Sequence, residues 1–262
     1  MPVCKLAISN IAWHKNDDEA VYTAMQQAGF TGLEIAPTRI FPAEPYENLT
    51  SAALFGGYLK NRWGFAVPSL QSIWYGQKGN IFDAEQSEAL LDYTAGAFQF
   101  AHSLNCPSLV FGCPKNRMRP LAADDALAES FFMQAGNLAA RYGVRLAIEA
   151  NPPVYTNYLN GTAEAFALVK RLDNPGLAVN LDLSTMLAQG EKLQNFVDDI
   201  KYVSHVHISE PGLASIQKRP EHKELALLLG AVGYQGYVSV EMASTDLDTI
   251  RRTLDYVAEV FA

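Results

Sequence analysis

A (β/α)8 TIM barrel forming one domain over residues 1–262 is the fold class that this sequence predicts, and three observations carry the prediction. Short apolar runs rich in Val, Ile and Leu recur eight times. Segments with helical periodicity separate them, and glycine closes several of those segments just before the next run. The runs are KLAI (5–8), LEIA (33–36), FAVPS (65–69), SLVF (108–111), RLAIE (145–149), LAVNLD (177–182), YVSHVHI (202–208) and YVSVE (237–241). The helical segments between them include residues 17–29, 85–104, 124–143 and 162–174. Gly29, Gly143 and Gly233 stand where a helix must end before LEIA, RLAIE and YVSVE. Parallel strands covered on both faces read as apolar throughout, as these do.

A doubly wound sheet is the main rival. It usually places a glycine-rich phosphate loop after the first strand, but here the first turn reads SNIAWHKND, with neither G-x-G-x-x-G nor G-x-x-x-x-G-K. The barrel is therefore preferred. With 49% hydrophobic residues the chain can bury a large core. A net charge of -8 and a pI near 5.1 argue against nucleic acid as a partner, since such binding draws its affinity from Lys and Arg. Cys4, Cys106 and Cys113 are odd in number and show no C-x-x-C spacing, which suits a reducing compartment without a disulfide framework or cysteine metal site. The N-terminus is too charged for a signal peptide and no apolar run reaches spanning length, so a soluble cytoplasmic protein without membrane attachment is expected. Oligomeric state stays open between monomer and homo-oligomer.

Barrel enzymes carry their chemistry at the C-terminal ends of the strands, and the polar residues of the runs lie there. The fifth run ends in Glu149 and the sixth in Asp182, the seventh carries His205 and His207, and the eighth ends in Glu241. Taken singly, a strand-end carboxylate is usually a helix cap and a strand histidine a hydrogen-bonded core residue. Four such groups on consecutive strands form a cluster whose like charges cannot all ionise without a countercharge. One divalent cation removes the conflict, and oxygen with imidazole ligation suits Mn²⁺, Mg²⁺, Co²⁺ or Zn²⁺ alike.

The chain resembles the xylose isomerase-like TIM barrel superfamily of sugar isomerases, ketose 3-epimerases, inosose dehydratases and apurinic-site endonucleases. The matching motifs are GLEIAP (32–37), LAIEANP (146–152), NLDLSTM (180–186), HVHISEP (205–211) and GYVSVEM (236–242). The resemblance implies a metal site of Glu149, Asp182, His207 and Glu241, with Glu210 as the acidic member of an H-x-x-E motif. It further implies proton exchange by Glu149 and Glu241 beside a substrate carbonyl, as in an isomerase or epimerase acting on a sugar, sugar phosphate or related polyol. Two departures stand against a direct transfer of ketose 3-epimerase activity. Thr185 occupies a position where many members carry histidine, and the arginine soon after H-x-x-E is missing from EPGLASI. A sugar-like ligand binder or a metal-assisted dehydratase on the same barrel is the alternative. The endonuclease branch needs extra histidines, and neither PSLQSIW (68–74) nor VFGCPKNR (110–117) supplies one.

Substrate contacts are expected from strand-end loops. Trp13, Glu34 and Gln71 lie at or just past the first three strands, and Lys115, Asn116 and Arg117 follow the fourth as a group able to take a phosphate or carboxylate. For the tryptophans, including Trp74, core packing is the competing explanation. His222, at the start of a helix, either caps that helix or supplies the imidazole that Thr185 lacks.

Overall fold

The computed structural model describes residues 4–261. Among these residues, seven strands form one curled parallel sheet: β1 (Lys5–Ser9), β2 (Gly32–Glu34), β3 (Ser108–Phe111), β4 (Arg145–Glu149), β5 (Leu177–Asp182), β6 (Val203–Ser209) and β7 (Tyr237–Glu241). Their hydrogen-bonded order is β2-β1-β7-β6-β5-β4-β3. The helices alternate with them: α1 (Asp18–Gln27), α2 (Pro37–Ile40), α3 (Leu49–Tyr58), α4 (Ala84–Ser103), α5 (Asp125–Arg141), α6 (Thr162–Leu172), α7 (Leu183–Gln189), α8 (Pro220–Ala231) and α9 (Leu247–Phe261).

The third of the eight expected strands, FAVPS, is not a strand ladder. Residues 66 and 70 instead make single bridges, Ala66 to Gly32 and Leu70 to both Ile35 and Leu109. Pro68 explains the difference: it sits mid-segment and has no N–H to donate. Closure survives because hydrogen bonds leave the segment on both sides. Ala66 N donates to Thr31 O at 2.9 Å and Leu70 N to Ser108 O at 3.0 Å, while Val110 N donates back to Leu70 O at 2.7 Å. The sheet therefore joins its edges through residues 66–70 and becomes a barrel.

Local chemistry ends the helices where the sequence places its stops. Gly29, Gly143 and Gly233 adopt left-handed φ values of 78°, 68° and 68°. Asp83 and Asp124 cap α4 and α5 by accepting the backbone N–H of Gln86 and Ala126. Gly32 is required for a different reason. A Cβ there would lie 2.6 Å from the Tyr237 ring and 2.9 Å from Ala7 Cβ, so β1, β2 and β7 could not approach one another as they do.

Register brings the polar strand ends together. Glu149 pairs with Asn180, Asp182 with His207, and Ser209 with Glu241 across four neighbouring strands. An irregularity between Val179 and Asn180 shifts the β5–β6 register by one residue, which sets Asp182 level with His207.

Candidate metal centre and active site

Glu149, Asp182, His207 and Glu241 each offer one ligating atom, and these atoms all lie within 4.8 Å of one another. His207 is the centre of the arrangement. Its Nδ1 stands 3.1 Å from Glu149 Oε1 and 3.4 Å from Glu241 Oε2, and its Nε2 faces Glu34 Oε2 at 3.0 Å. Glu34 Oε2 also receives the Nε2–H of His205 at 2.6 Å. Glu34 is thus fully buried behind the cluster and touches two imidazoles, so it does not line the substrate wall as expected from its place at the end of β2. A carboxylate on the far nitrogen of a histidine fixes its tautomer and ring orientation and aims the other nitrogen at the site.

Asp182 caps α7 and belongs to the cluster at once. Its Oδ2 accepts the backbone N–H of Thr185 at 2.8 Å and lies 2.8 Å from the Thr185 hydroxyl, while Oδ1 accepts the Ser209 hydroxyl. Thr185 Oγ1 is also 2.8 Å from Ala150 O, so the hydroxyl in the histidine position is occupied in holding the aspartate against β4. Glu149 is held as firmly. Oε1 accepts Asn180 Nδ2 at 2.6 Å, and Oε2 accepts Asn151 Nδ2 at 3.0 Å. Gly112, just past β3, leaves the space for this carboxylate, because a Cβ there would come within 2.8 Å of Glu149 Oε2.

Burial and charge push the acids apart. Desolvation raises Glu241 to about 7, with His207 opposing and Glu149 and Asp182 adding to the rise. Asp182 is also raised, first by burial and then by Glu149. Glu149 is lowered in spite of its burial because His207, Asn151 and Asn180 favour its anion. Glu34 is lowered likewise by His207 and His205. Burial opposes the charged form of His207, but Glu34 and Glu241 outweigh it and carry its pKa well up. His205 has the opposite balance: desolvation prevails over Glu34 and keeps it neutral. With no ion bound, a protonated His207 therefore serves as the countercharge.

The donor set suits a cation. Three carboxylates and an imidazole nitrogen are gathered at one point, and separations under 4.8 Å let one ion reach all four atoms. A second group, Glu34 with His205 and His207, also has metal-like spacing, but its contacts are those of the support described above.

The other expected contact residues separate. Gln71 lines a cleft of about 140 Å³ together with Glu149, Glu241 and Asn151, and its Nε2 donates to Ser9 Oγ at 2.9 Å. Lys115, Asn116 and Arg117 do not form the expected anion-binding group. Lys115 is exposed, whereas Asn116 donates to Gln77 O and Gly79 O, and Arg117 is fully buried with its guanidinium on Glu149 O and Asn151 Oδ1, both at 2.8 Å. Trp13 is a packing residue, its Nε1 donating to Asp18 and its ring under the Arg39 guanidinium. Glu210 is buried against Arg219, which binds both of its oxygens at 2.6–2.9 Å, so an arginine does arrive after the H-x-x-E motif, nine residues on. His222 is buried in α8 with Nδ1 2.9 Å from the Tyr256 hydroxyl and is in neither metal-like group, so it does not stand in for the missing imidazole. Asn180, Asn151, Ser209 and Gly112 shape the site without belonging to the motif-derived set. For Asn180 the signal was present, since it lies two residues before Asp182 on the same strand face. For Gly112 and Ser209 there was none.

A family profile described as "Xylose isomerase-like TIM barrel" matches residues 22–260. The chain belongs to that family. A curated relative, a ketose 3-epimerase of Arthrobacter globiformis, is 25% identical over 146 residues, which is 53% of this chain and 49% of the relative, so the match spans about half the relative's length. Among solved structures, D-psicose 3-epimerase with D-tagatose from Clostridium cellulolyticum H10 superposes with a TM-score of 0.79 at 16% identity, covering 98% of this chain and 99% of that one. The IOLI protein with a binding zinc atom superposes at 0.73, with 16% identity and coverage of 98% and 99%. No helix among the described residues is long and apolar enough to cross a membrane.

Proposed function

We propose that this chain is a divalent-metal-dependent sugar isomerase or epimerase that moves a proton at the carbon beside a carbonyl. The observation that carries the reading is the pairing of Glu149 and Glu241 across one small cleft, each also a member of the four-residue ligand group. The matches to a ketose 3-epimerase and to D-psicose 3-epimerase agree in reaction class. Their substrates suggest a ketose as the first compound to try.

Glu149, Asp182, His207 and Glu241 would hold the ion. A bound divalent cation would supply Lewis acidity toward the substrate oxygens and a countercharge for the carboxylates. The residues divide the remaining work. Glu149, held ionised by Asn151 and Asn180, is suited to take the carbon-bound proton, and Glu241, which lines the same cleft, is suited to exchange a proton from the other side. Return of the proton to the opposite face inverts that carbon, and return to the neighbouring carbon moves the carbonyl. Gln71, its amide held by Ser9 and Ser72, helps to form the wall of the same cleft.

The test is turnover of D-fructose, D-tagatose and D-psicose in deuterated water with Mn²⁺, Mg²⁺, Co²⁺ or Zn²⁺, read by NMR and mass spectrometry. An epimer or isomer carrying solvent deuterium at the carbon next to the carbonyl is the expected result. Product without deuterium would remove Glu149 and Glu241 from proton transfer. Release of water from the sugar, giving a dehydrated product, would move the chain to the dehydratase reading.

A further inference from the structure

We propose that the metal cleft opens into a second sugar-ring subsite, so that the preferred substrate is a glycoside or other two-ring sugar whose non-reacting ring rests on Tyr75; this rests on the function proposed above. The cleft at Glu149 and Glu241 holds about 140 Å³, below the roughly 300 Å³ at which small-molecule sites ordinarily begin. A cavity of about 510 Å³ adjoins it, and Ser72, Cys113 and Pro114 line both. A ligand anchored at the reacting carboxylates therefore has one continuous path outward, across those three residues.

The junction is built under strain. Ser72 and Cys113 both adopt left-handed backbone angles, φ 53° and 41°, without being glycine. Strain of this kind persists where surrounding structure enforces it and collects at ligand sites. Beyond the junction the floor is rigid. Trp74 is buried with its Nε1 on Thr94 Oγ1 at 2.9 Å and its ring edge-on to Phe111 and Phe131. Next to it Tyr75 is 70% exposed, an aromatic face with no aromatic partner among the described residues. Asn116 fastens the loop on the far side by donating to Gln77 O and Gly79 O.

The chemistry of the lining selects a neutral ring over a phosphate. Lys115 is the single charged residue around the larger cavity, and Arg117, which could have made a fork for a phosphate, is buried and committed to Glu149 O and Asn151. An exposed tyrosine beside amide and hydroxyl groups is the combination that takes the apolar face and the edge hydroxyls of a sugar ring.

The experiment compares D-fructose, three glycosyl-fructoses of different linkage (isomaltulose, turanose and lactulose) and fructose 6-phosphate on the metal-loaded protein, by calorimetry and saturation-transfer NMR. At least one disaccharide is expected to bind roughly 5- to 10-fold more tightly than fructose, with saturation on its non-fructosyl ring. Tyr75→Ala should abolish that advantage and leave fructose affinity and metal content unchanged. Equal binding of fructose and every disaccharide overturns the subsite, as does a dominant preference for fructose 6-phosphate that Lys115→Ala removes. Cellobiose, which has no ketose, separates the two readings. If no ketose binds but cellobiose still shifts the Tyr75 and Trp74 side-chain resonances, the subsite stands and the ketose assignment falls; if cellobiose also leaves them unmoved, the subsite falls.

Discussion

Glu34→Gln tests the internal support of the metal centre without touching a proposed ligand. The carboxylate accepts from His207 Nε2 at 3.0 Å and from His205 Nε2 at 2.6 Å, and both contacts are wholly buried. Glutamine keeps the shape and one acceptor but loses the charge that makes the His207 ring basic. Replacing the outer partner of a metal-binding histidine typically costs 10- to 100-fold in metal affinity, or about 1.4–2.7 kcal/mol. The pH dependence of that loss is specific. Glu34 raises the pKa of His207, so in the wild type an incoming cation must displace a proton from the imidazole; the variant carries less of that proton. The deficit should therefore grow as pH rises through the raised pKa of His207, as proton competition falls away, and should shrink on acidification. Isothermal titration with Mn²⁺ and Zn²⁺ at several pH values measures it. Unchanged affinity across the whole pH series, or a deficit that grows on acidification, would refute the role given to Glu34.

Asp182→Asn should remove most bound divalent metal, read by elemental analysis, while circular dichroism shows an intact fold, because asparagine remains a good cap for α7. Gly112→Ala places a methyl 2.8 Å from Glu149 Oε2 and should weaken metal binding and turnover together with little change in Tm; wild-type metal affinity in that variant would mean the carboxylate has freedom that its hydrogen bonds deny. Metal binding near pH 7 should release roughly one to two protons per ion, from His207 and from Glu241 with its pKa of about 7, as seen by calorimetry in buffers of different ionisation enthalpy. The same two groups have raised pKa values in the folded, metal-free protein, so their contribution to stability is present at low pH and lost as pH rises through the raised values. The Tm of metal-free protein should accordingly fall as pH rises from about 6.5 to 8, above the range in which the neutral, buried His205 and His222 gain stability with pH, and saturating metal should flatten the profile; a rise of metal-free Tm over that interval contradicts the assignment.

Much of this was written in local sequence. Strand-helix alternation, apolar strands and glycine stops describe a barrel because each is a short-range property: covering both faces of a parallel strand makes it apolar, and ending a helix in a left-handed turn calls for glycine. The candidate ligands were legible for a related reason, since barrel topology turns the last polar residue of successive strands toward one mouth. What the sequence could not carry was whatever depends on a neighbour far along the chain. Glu34 reads as a wall residue from its place on β2, and only closure of the barrel puts it behind His207, 173 positions away. Arg117 reads as a ready anion ligand, but packing consumes its guanidinium beneath Glu149. Pro68 broke an expected strand, yet bonds from both flanking strands kept the barrel closed. Periodicity and capping are set by nearest neighbours, whereas the partner of a buried charge is chosen by the whole fold, because desolvation makes an unpaired charge too costly to leave alone.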